Sequence, residues 1–159
     1  MPHVGFGQGI YGWLQAQSGM NDINRILKSI NTIRQVMIET GLTHTSETVV
    51  DYKNTAIAVG SGDMPVFATP AMMALMENAA MMAVADELPE GCTTVGGHIV
   101  SSHIRPTKVG DTVRAVAEVT KVEGKKIFFK VKAYAGEDMI GEGDHLRFVV
   151  DKEKFLSRL

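Results

Sequence analysis

Cysteine is almost absent from this sequence: Cys92 stands alone among 159 residues, so no intrachain disulfide can form. No stretch approaches the roughly 18 continuous apolar residues of a membrane span. The N-terminus lacks the basic region and apolar core of a signal peptide. A strong excess of charge is missing too, and the formal net charge of −2 argues against a basic nucleic-acid surface. These absences favour a cytoplasmic protein that binds neither a membrane nor nucleic acid.

What the chain does contain suits one globular domain. Hydrophobic residues make up 45% and charged residues 21% of the sequence, and a chain of this length can bury a sizeable core. Residues 1–20 are rich in glycine and predict a flexible lead-in, whereas Asp22–Val36 carries apolar residues at the spacing of an amphipathic helix. We therefore expect an N-terminal extension, residues 1–36, followed by the domain, residues 37–159.

The domain combines one long helical pattern with several strand patterns. The segment Val66–Leu88 predicts a helix with Thr69 as its N-cap and Pro70 as its first helical residue. This helix is apolar on all sides, which predicts that it is buried. Alternating or β-branched residues predict five strands, at Glu47–Val59, Thr93–Arg105, Asp111–Val122, Lys125–Ala135 and Met139–Val150. The order predicts an α+β fold in which an antiparallel sheet wraps around one long central helix.

One carboxylate interrupts the apolar helix. Glu77 follows Thr69 by eight residues, which is about two helical turns. A carboxylate in dry surroundings is costly unless it is paired, hydrogen-bonded or protonated, and such a group suits general-base chemistry. Equally, Glu77 could reach solvent or hold a structural ion pair. Thr69 could be a plain cap, or it could lie where the helix dipole stabilises developing negative charge.

Two glycines and two histidines mark the next strand, in the segment TVGGHIVSSHIR. Gly96 and Gly97 permit a close approach of a ligand, and their N–H groups could bind a carbonyl oxygen as charge builds on it. A bulge is an equal alternative for the glycines. His98 and His103 are five residues apart and face opposite sides of a regular strand, so at most one faces a site unless a bulge intervenes. No Cys/His spacing predicts a metal site.

The last strand places His145 and Arg147 on the same face. A guanidinium there suits a phosphate or a carboxylate, because its planar fork of donors matches both groups. The alternative for Arg147 is a structural ion pair or a solvated charge. The sequence does not decide between them.

Four segments taken together resemble one known family. VFATPAMMALMENAA, TVGGHIVSSHIRPTKVGDTV, EVTKVEGKKIFFKV and IGEGDHLRFVVDKEKF are similar, in this order and at matching distances, to motifs of the fluoroacetyl-CoA thioesterase-like family of hotdog-fold proteins. The resemblance covers roughly Thr48–Phe155. It implies a curved antiparallel sheet around a central helix, paired into a homodimer or a dimer of dimers with sites at the subunit interface.

The resemblance also implies roles for individual residues. The family's catalytic threonine, which follows a VFAT-like start of the helix, matches Thr69, and its glutamate matches Glu77. The histidine of its SH- or TH-ending strand matches His103. The glycine before that strand matches Gly96, and the arginine two residues after a histidine matches Arg147. Gly97, Phe67 and Met73 are further substrate-binding candidates.

The loop before the helix departs from the enzyme that names the family. That enzyme has phenylalanines there, as part of a lid over the acyl group, whereas Gly60–Pro65 carries no aromatic residue. Methionines of the helix, Met72, Met73 and Met76, are expected to line the pocket instead. Flexible methionine side chains fit varied apolar shapes, which predicts weak discrimination between acyl groups.

The resemblance implies hydrolysis of a short or medium acyl-CoA to free acid and CoA, with no cofactor besides the CoA of the substrate. Thr69 positions, activates or itself supplies the nucleophile, Glu77 acts as base or nucleophile, and His103 moves the proton. A non-catalytic acyl-CoA-binding module is one alternative. A hotdog hydratase or dehydratase is another, although those enzymes carry a histidine on or before the central helix and Val66–Leu88 has none.

Overall fold

The computed structural model describes residues 19–28 and 38–159. Residues 19–28 form a helix, α1, in which every residue is exposed, including Ile23, Ile26 and Leu27. This confirms part of the helix predicted at Asp22–Val36. The predicted lead-in before residue 19 and the second half of that helix lie outside the described residues. The expected boundary after residue 36 also falls there and stays a prediction.

The domain that follows has five strands and one long helix. The elements in chain order are β1 (Thr43–Val49), a 3-10 turn (Tyr52–Asn54), α2 (Ala56–Val59), α3 (Thr69–Val84), a second 3-10 turn (Ala85–Glu87), β2 (Cys92–His103), β3 (Thr112–Glu123), β4 (Lys126–Ala135), β5 (Asp138–Asp151) and α4 (Lys152–Leu156). The last four strands match their predicted bounds to within two residues, because their alternating patterns run between clear turn signals.

All five strands form one antiparallel sheet in the order β1-β3-β4-β5-β2. Tight turns join β3 to β4 and β4 to β5, and Gly124 and Gly136 adopt the positive φ that these turns need. β1 and β2 are therefore the edges of the sheet within this chain. No helix in the described parts of the chain has the length and apolar character to cross a bilayer.

The core lies between α3 and the concave face of the sheet. Met72, Met76, Ala79, Ala80 and Val84 of the helix are buried there, against the inward residues of the strands. The opposite stripe of the helix, at Ala74, Asn78 and Met82, is exposed. The sequence correctly predicted a buried apolar helix, but burial on all sides is wrong for the single chain.

The segment predicted as one strand at Glu47–Val59 is the main error of the sequence analysis. The strand ends at Val49, and two short helices follow. The Asp51 side chain accepts from the Lys53 N–H and forms a capping box with Asn54, while the buried Thr55 hydroxyl accepts from the Ala58 N–H. These caps stabilise helical turns and outweigh the strand propensity of the Thr, Val and Ile residues.

Candidate active site

Thr69 lies at the first position of α3 but does not cap it. Ala68 occupies the N-cap position without a side-chain hydrogen bond, so Pro70 becomes the second helical residue and the predicted cap is wrong. The Thr69 hydroxyl is instead 2.8 Å from Nδ1 of His103, the last residue of β2. A hydroxyl this close to an imidazole nitrogen has the geometry of a nucleophile and its base.

The surroundings of His103 favour its neutral form. The imidazole is half-buried, and desolvation lowers its pKa below the usual 6.5, which a weaker interaction with the Arg105 backbone partly offsets. Nε2 is buried and has no hydrogen-bond partner of good geometry. The ring packs edge-on against Phe67, with the ring centroids 6.5 Å apart. A neutral ring whose Nδ1 accepts from Thr69 can take up a proton near neutral pH.

An open pocket of about 340 Å³ adjoins this pair. Thr69, His103 and the buried Phe67 line it, together with Ser61 of the preceding loop and Arg105. Phe67 therefore lies beside the Thr69–His103 pair, and its predicted contact with substrate stays a prediction. The loop Gly60–Pro65 contributes the small polar side chain of Ser61 and has no aromatic residue, so this side of the pocket is open.

The methionines lie elsewhere than expected. Met72 and Met76 are fully buried in the core, so their expected role in lining the pocket is wrong. The Met76 sulfur accepts from the Ser101 hydroxyl at 3.6 Å, and Met72 fills the space beside Gly141. Met73 is half-buried on the helix between Thr69 and Glu77. Its contact with substrate stays a prediction.

Glu77 belongs to a second group of polar residues, further along α3. Its side chain is 41% exposed in the single chain, and its Oε2 lies 3.4 Å from Nη1 of Arg147. A Cβ atom on Gly96 would lie 2.7 Å from the same oxygen. Glycine at this position is therefore what lets the carboxylate reach the β2 backbone.

Arg147 is buried, with 6% of its surface exposed, and protein groups occupy most of its donors. Its Nε donates to the Thr94 hydroxyl at 2.8 Å and its Nη2 to the Thr94 carbonyl at 2.9 Å. Its Nη1 faces both Glu77 and Nε2 of His145, the latter at 3.1 Å. The guanidinium thus holds the Glu77 carboxylate in place. Its predicted direct contact with substrate stays a prediction.

His145 completes this group, although its position in the sequence predicted no role for it. Its ring is buried, Nδ1 is 2.7 Å from the carbonyl oxygen of His98, and Nε2 accepts from Arg147. These partners place the proton on Nδ1, and desolvation lowers the pKa of the ring. In the sequence, the spacing of His145 and Arg147 shows that they share one face of the strand. The spacing does not show that both side chains are buried.

A bulge at Gly97 reorganises β2 between the two groups. Gly96 pairs with Arg147 and His98 with Leu146, so Gly97 is the extra residue. A Cβ atom on Gly97 would collide with the ring of Phe148. His98 is exposed and His103 half-buried, as expected for two histidines on opposite faces. The bulge leaves backbone groups at the glycines outside the regular strand pairing. The predicted role of their N–H groups as hydrogen-bond donors to a substrate carbonyl stays a prediction.

The two groups lie apart within one chain. The eight residues from Thr69 to Glu77 correspond to a rise of about 12 Å along the helix. The structure therefore joins Thr69 to His103, and Glu77 to Gly96 and Arg147, without joining the first group to the second. Among the described residues, no three histidine, cysteine, aspartate or glutamate side chains gather into a metal-binding cluster.

Comparison with known proteins identifies relatives of this chain. The sequence model of a family described as fluoroacetyl-CoA-specific thioesterase matches residues 50–153. The fluoroacetyl-CoA thioesterase of Streptantibioticus cattleyicolor is 40% identical over 94 residues, which span 59% of this chain and 68% of that protein.

Solved structures show the same architecture. A structure of the fluoroacetyl-CoA thioesterase FlK superposes with a TM-score of 0.72 at 35% identity, covering 76% of this chain and 94% of that one. A thioesterase superfamily member from Thermus thermophilus superposes with a TM-score of 0.70 at 30% identity, covering 76% and 89% of the two chains. The sheet curled around a central helix is thus a hotdog fold, and the chain belongs to the fluoroacetyl-CoA-specific thioesterase family.

Proposed function

We propose that this thioester hydrolase cleaves short- and medium-chain acyl-CoA to a free acid and CoA, using Thr69, His103 and Glu77. The observation that carries the proposal is the 2.8 Å contact between the Thr69 hydroxyl and His103 Nδ1 beside an open pocket. The site needs no cofactor besides the CoA of the substrate. A cytoplasmic location belongs to the same proposal and is based on the single cysteine.

The reaction proceeds in two steps. In the first, neutral His103 takes the hydroxyl proton while the Thr69 oxygen bonds to the thioester carbonyl carbon. The C–S bond then breaks, and the departing CoA sulfur receives the proton from the imidazolium. This leaves the acyl group on Thr69 as an ester. The lowered pKa of His103 keeps the imidazole ready to accept the proton near neutral pH.

In the second step a water molecule attacks the Thr69 ester, and the Glu77 carboxylate accepts its proton. Glu77 then gives this proton to the Thr69 oxygen as the ester C–O bond breaks, and the free acid departs. Arg147 keeps the carboxylate aimed at one position, because it contacts Oε2 and is itself fixed through Thr94. The backbone at the Gly96–Gly97 bulge supplies donors to the carbonyl oxygen as negative charge builds on it.

The rise of about 12 Å between Thr69 and Glu77 requires a second copy of the chain. β2 is an edge strand, and its Val100 is 58% exposed. Antiparallel pairing of β2 with its own copy, centred on Val100, places the bulged pair Gly96–Gly97 opposite the partner's His103. The extra residue of the bulge keeps Gly96 and the partner's His103 on the same inner face. Each complete site then takes Thr69 and His103 from one subunit and Glu77 from the other.

The activity is tested by measuring CoA release from a panel of acyl-CoA substrates. Hydrolysis of several of them, abolished in Thr69→Ala, is the expected result. In Glu77→Gln the second step slows, so mass spectrometry should detect an acyl group on Thr69. Binding without hydrolysis would identify an acyl-CoA-binding module, and hydration of an enoyl-CoA without CoA release would identify a hydratase. Either outcome would contradict the proposal.

The assembly is tested separately with Val100→Lys, which places two like charges at the centre of the pairing. Light scattering should show a dimer, or a dimer of dimers, for the parent protein and a folded, inactive monomer for the variant. Val109→Lys is the matched control, because Val109 is exposed to a similar extent, 50%, outside β2. Full activity in a Val100→Lys monomer would rule out the shared site.

A further inference from the structure

His145 is a buried side chain of β5, and both of its ring nitrogens are engaged. A guanidinium can only donate, so the 3.1 Å contact with Nη1 of Arg147 makes Nε2 of the ring an acceptor. Nδ1 therefore carries the proton and donates to the carbonyl oxygen of His98 at 2.7 Å. The backbone of β2 on one side and Arg147 on the other thus hold the ring in one tautomer and one orientation.

The guanidinium of Arg147 is held along two edges, which differ in their partners. Along one edge, Nε and Nη2 donate to the hydroxyl and carbonyl oxygens of Thr94 at 2.8 and 2.9 Å. Along the other edge, Nη1 faces Nε2 of His145 and Oε2 of Glu77, the latter at 3.4 Å. The Glu77 side chain is 41% exposed, so it does not itself fix this edge. The buried ring of His145 is the fixed partner of Nη1.

His145 can accept from Arg147 only while its Nε2 carries no proton. Desolvation lowers the pKa of the ring below the usual 6.5, and the neighbouring guanidinium lowers it further, although the His98 carbonyl and the Glu77 carboxylate raise it. The ring also packs against Phe129, with the ring centroids 6.2 Å apart. His145 therefore offers Arg147 an acceptor whose place and protonation state are both set by its surroundings.

We propose that His145 is a positioning residue: through Nη1 of Arg147, it fixes the Glu77 carboxylate where that group accepts the proton of the attacking water. The inference rests on the proposed function, since it extends the role given there to Glu77. The carboxylate has a narrow place to keep, because a Cβ atom on Gly96 would lie 2.7 Å from its Oε2. His145 itself contacts no reacting atom. It therefore contributes to the step that removes the acyl group from Thr69.

Two amide substitutions divide the contacts of the ring between them. In His145→Gln the amide oxygen can replace Nε2 and accept from Arg147, whereas the donor to the His98 carbonyl is lost. In His145→Asn the amide nitrogen can replace Nδ1 and donate to His98, whereas the acceptor for Arg147 is lost. Both substitutions remove the ring that packs against Phe129. Each variant is therefore the matched control of the other for the loss of packing, and urea unfolding verifies that both are folded.

The turnover of acetyl-CoA should separate the two variants. In His145→Asn we expect kcat to fall about tenfold, because a displaced base loses rate steeply. Mass spectrometry during turnover should then detect the acyl group on Thr69, as in Glu77→Gln. In His145→Gln, which keeps the acceptor for Arg147, kcat should stay close to the parent value and little acyl group should accumulate. Equal values of kcat in the two variants, or a lower value in His145→Gln, would overturn the positioning role while the hydrolase function stands.

Measurements without substrate test the geometry separately from the proposed function. Crystal structures should keep Oε2 of Glu77 near 3.4 Å from Arg147 in His145→Gln and show it displaced in His145→Asn. Nitrogen NMR of the parent protein should find the proton of His145 on Nδ1, a result that does not depend on the folding of either variant. A ring protonated on Nε2, or an unmoved carboxylate in His145→Asn, would contradict the proposal. If these measurements agree with the proposal but the parent cleaves no thioester, the hydrolase function is wrong and the positioning of Glu77 by His145 stands.

Discussion

The first turn of α3 and its middle carry the two halves of the proposed site, and they are built differently. In the first turn Thr69 is exposed and makes one side-chain hydrogen bond, to His103, beside an open pocket. In the middle of the helix Glu77 contacts Arg147, which is buried and bonded to Thr94 of β2 and His145 of β5. The Thr69 region leaves its hydroxyl accessible. The Glu77 region instead holds its carboxylate in a fixed position.

This difference follows from what each region packs against. The Thr69 region faces the loop before α3 and the segment after β2, both of which lie at the surface. The Glu77 region faces the paired strands β2 and β5, where buried polar groups must be satisfied within the protein. A dimer that brings the Thr69 region of one subunit to the Glu77 region of the other would therefore combine an accessible nucleophile with a rigid base. Four experiments test this division, in order of decreasing effect.

The largest effect is expected from removing one group in each of the two regions. Thr69→Ala and Glu77→Gln should each lower kcat/KM at least ~100-fold, the usual scale for a positioned reactive or acid–base group. Mixing the two inactive proteins under conditions that exchange subunits should restore about a quarter of the parent activity, because half of the dimers then contain one intact shared site.

The mixing experiment distinguishes a shared site from two sites within single chains. If Thr69 and Glu77 act within one chain, every site in the mixture lacks one of the two groups and no activity returns. The matched control mixes Thr69→Ala with Thr69→Ala/Glu77→Gln, which has no intact site in either arrangement. Recovery in the control would show that the mixing itself, and not complementation, restores activity.

The second effect concerns the rigidity of the Glu77 region. Arg147→Met should lower the free energy of unfolding by about 2–3 kcal/mol, because it leaves Thr94, His145 and Glu77 without their shared donor. Lys130→Met is the control, since the Lys130–Asp144 pair has the same 3.4 Å separation as Arg147–Glu77 but is largely exposed. The control should change stability by less than about 1 kcal/mol. Urea unfolding at one protein concentration measures both, and equal losses would show that burial does not matter here.

The third effect concerns pH and the two histidines whose pKa values desolvation lowers, His103 and His145. Desolvation lowers the pKa of His103 and of His145 below 6.5. His103 accepts a proton in the first step, so kcat/KM should be flat above about pH 6.5 and fall about tenfold per unit once the pH drops below the pKa of His103. His103→Gln should remove this dependence, whereas His98→Gln, at an exposed position, should keep it. An activity that increases on acidification would exclude His103 as the base.

The same lowered histidine pKa values determine how the free energy of unfolding changes with pH. Unfolded chains take up protons at histidine near pH 6.5, while the folded protein resists protonation until lower pH. The unfolded state therefore binds more protons within this window, and the free energy of unfolding falls as the pH drops from about 6.5 through the lower folded-state pKa values. His145→Gln should flatten this stability curve without abolishing turnover.

The fold was largely predictable because, in its main elements, the hydrophobic pattern of the sequence and the final structure agree. The alternation in β2 to β5 and the apolar run of α3 gave the order and type of these elements before any packing was known. The stretch after Val49 failed because capping by Asp51 and Thr55 depends on side-chain geometry, which propensity does not contain. The sequence named Thr69, Glu77 and His103 as candidates, but the separation of Thr69 from Glu77 by about 12 Å and the contact of His145 with Arg147 required the structure.

The smallest effect is expected in substrate choice, and it concerns the open Thr69 region alone. The loop Gly60–Pro65 contributes Ser61 to the pocket and no aromatic lid, and Arg105 lies at the same rim. An open pocket senses little of the acyl chain, because each buried methylene contributes only ~1 kcal/mol to selection. The values of kcat/KM for fluoroacetyl-, acetyl- and butyryl-CoA should therefore agree to within about tenfold after division by the uncatalysed rates. A residual preference of about a thousandfold for the fluorinated substrate, some 4 kcal/mol, would show that the pocket selects the acyl group without the loop aromatics.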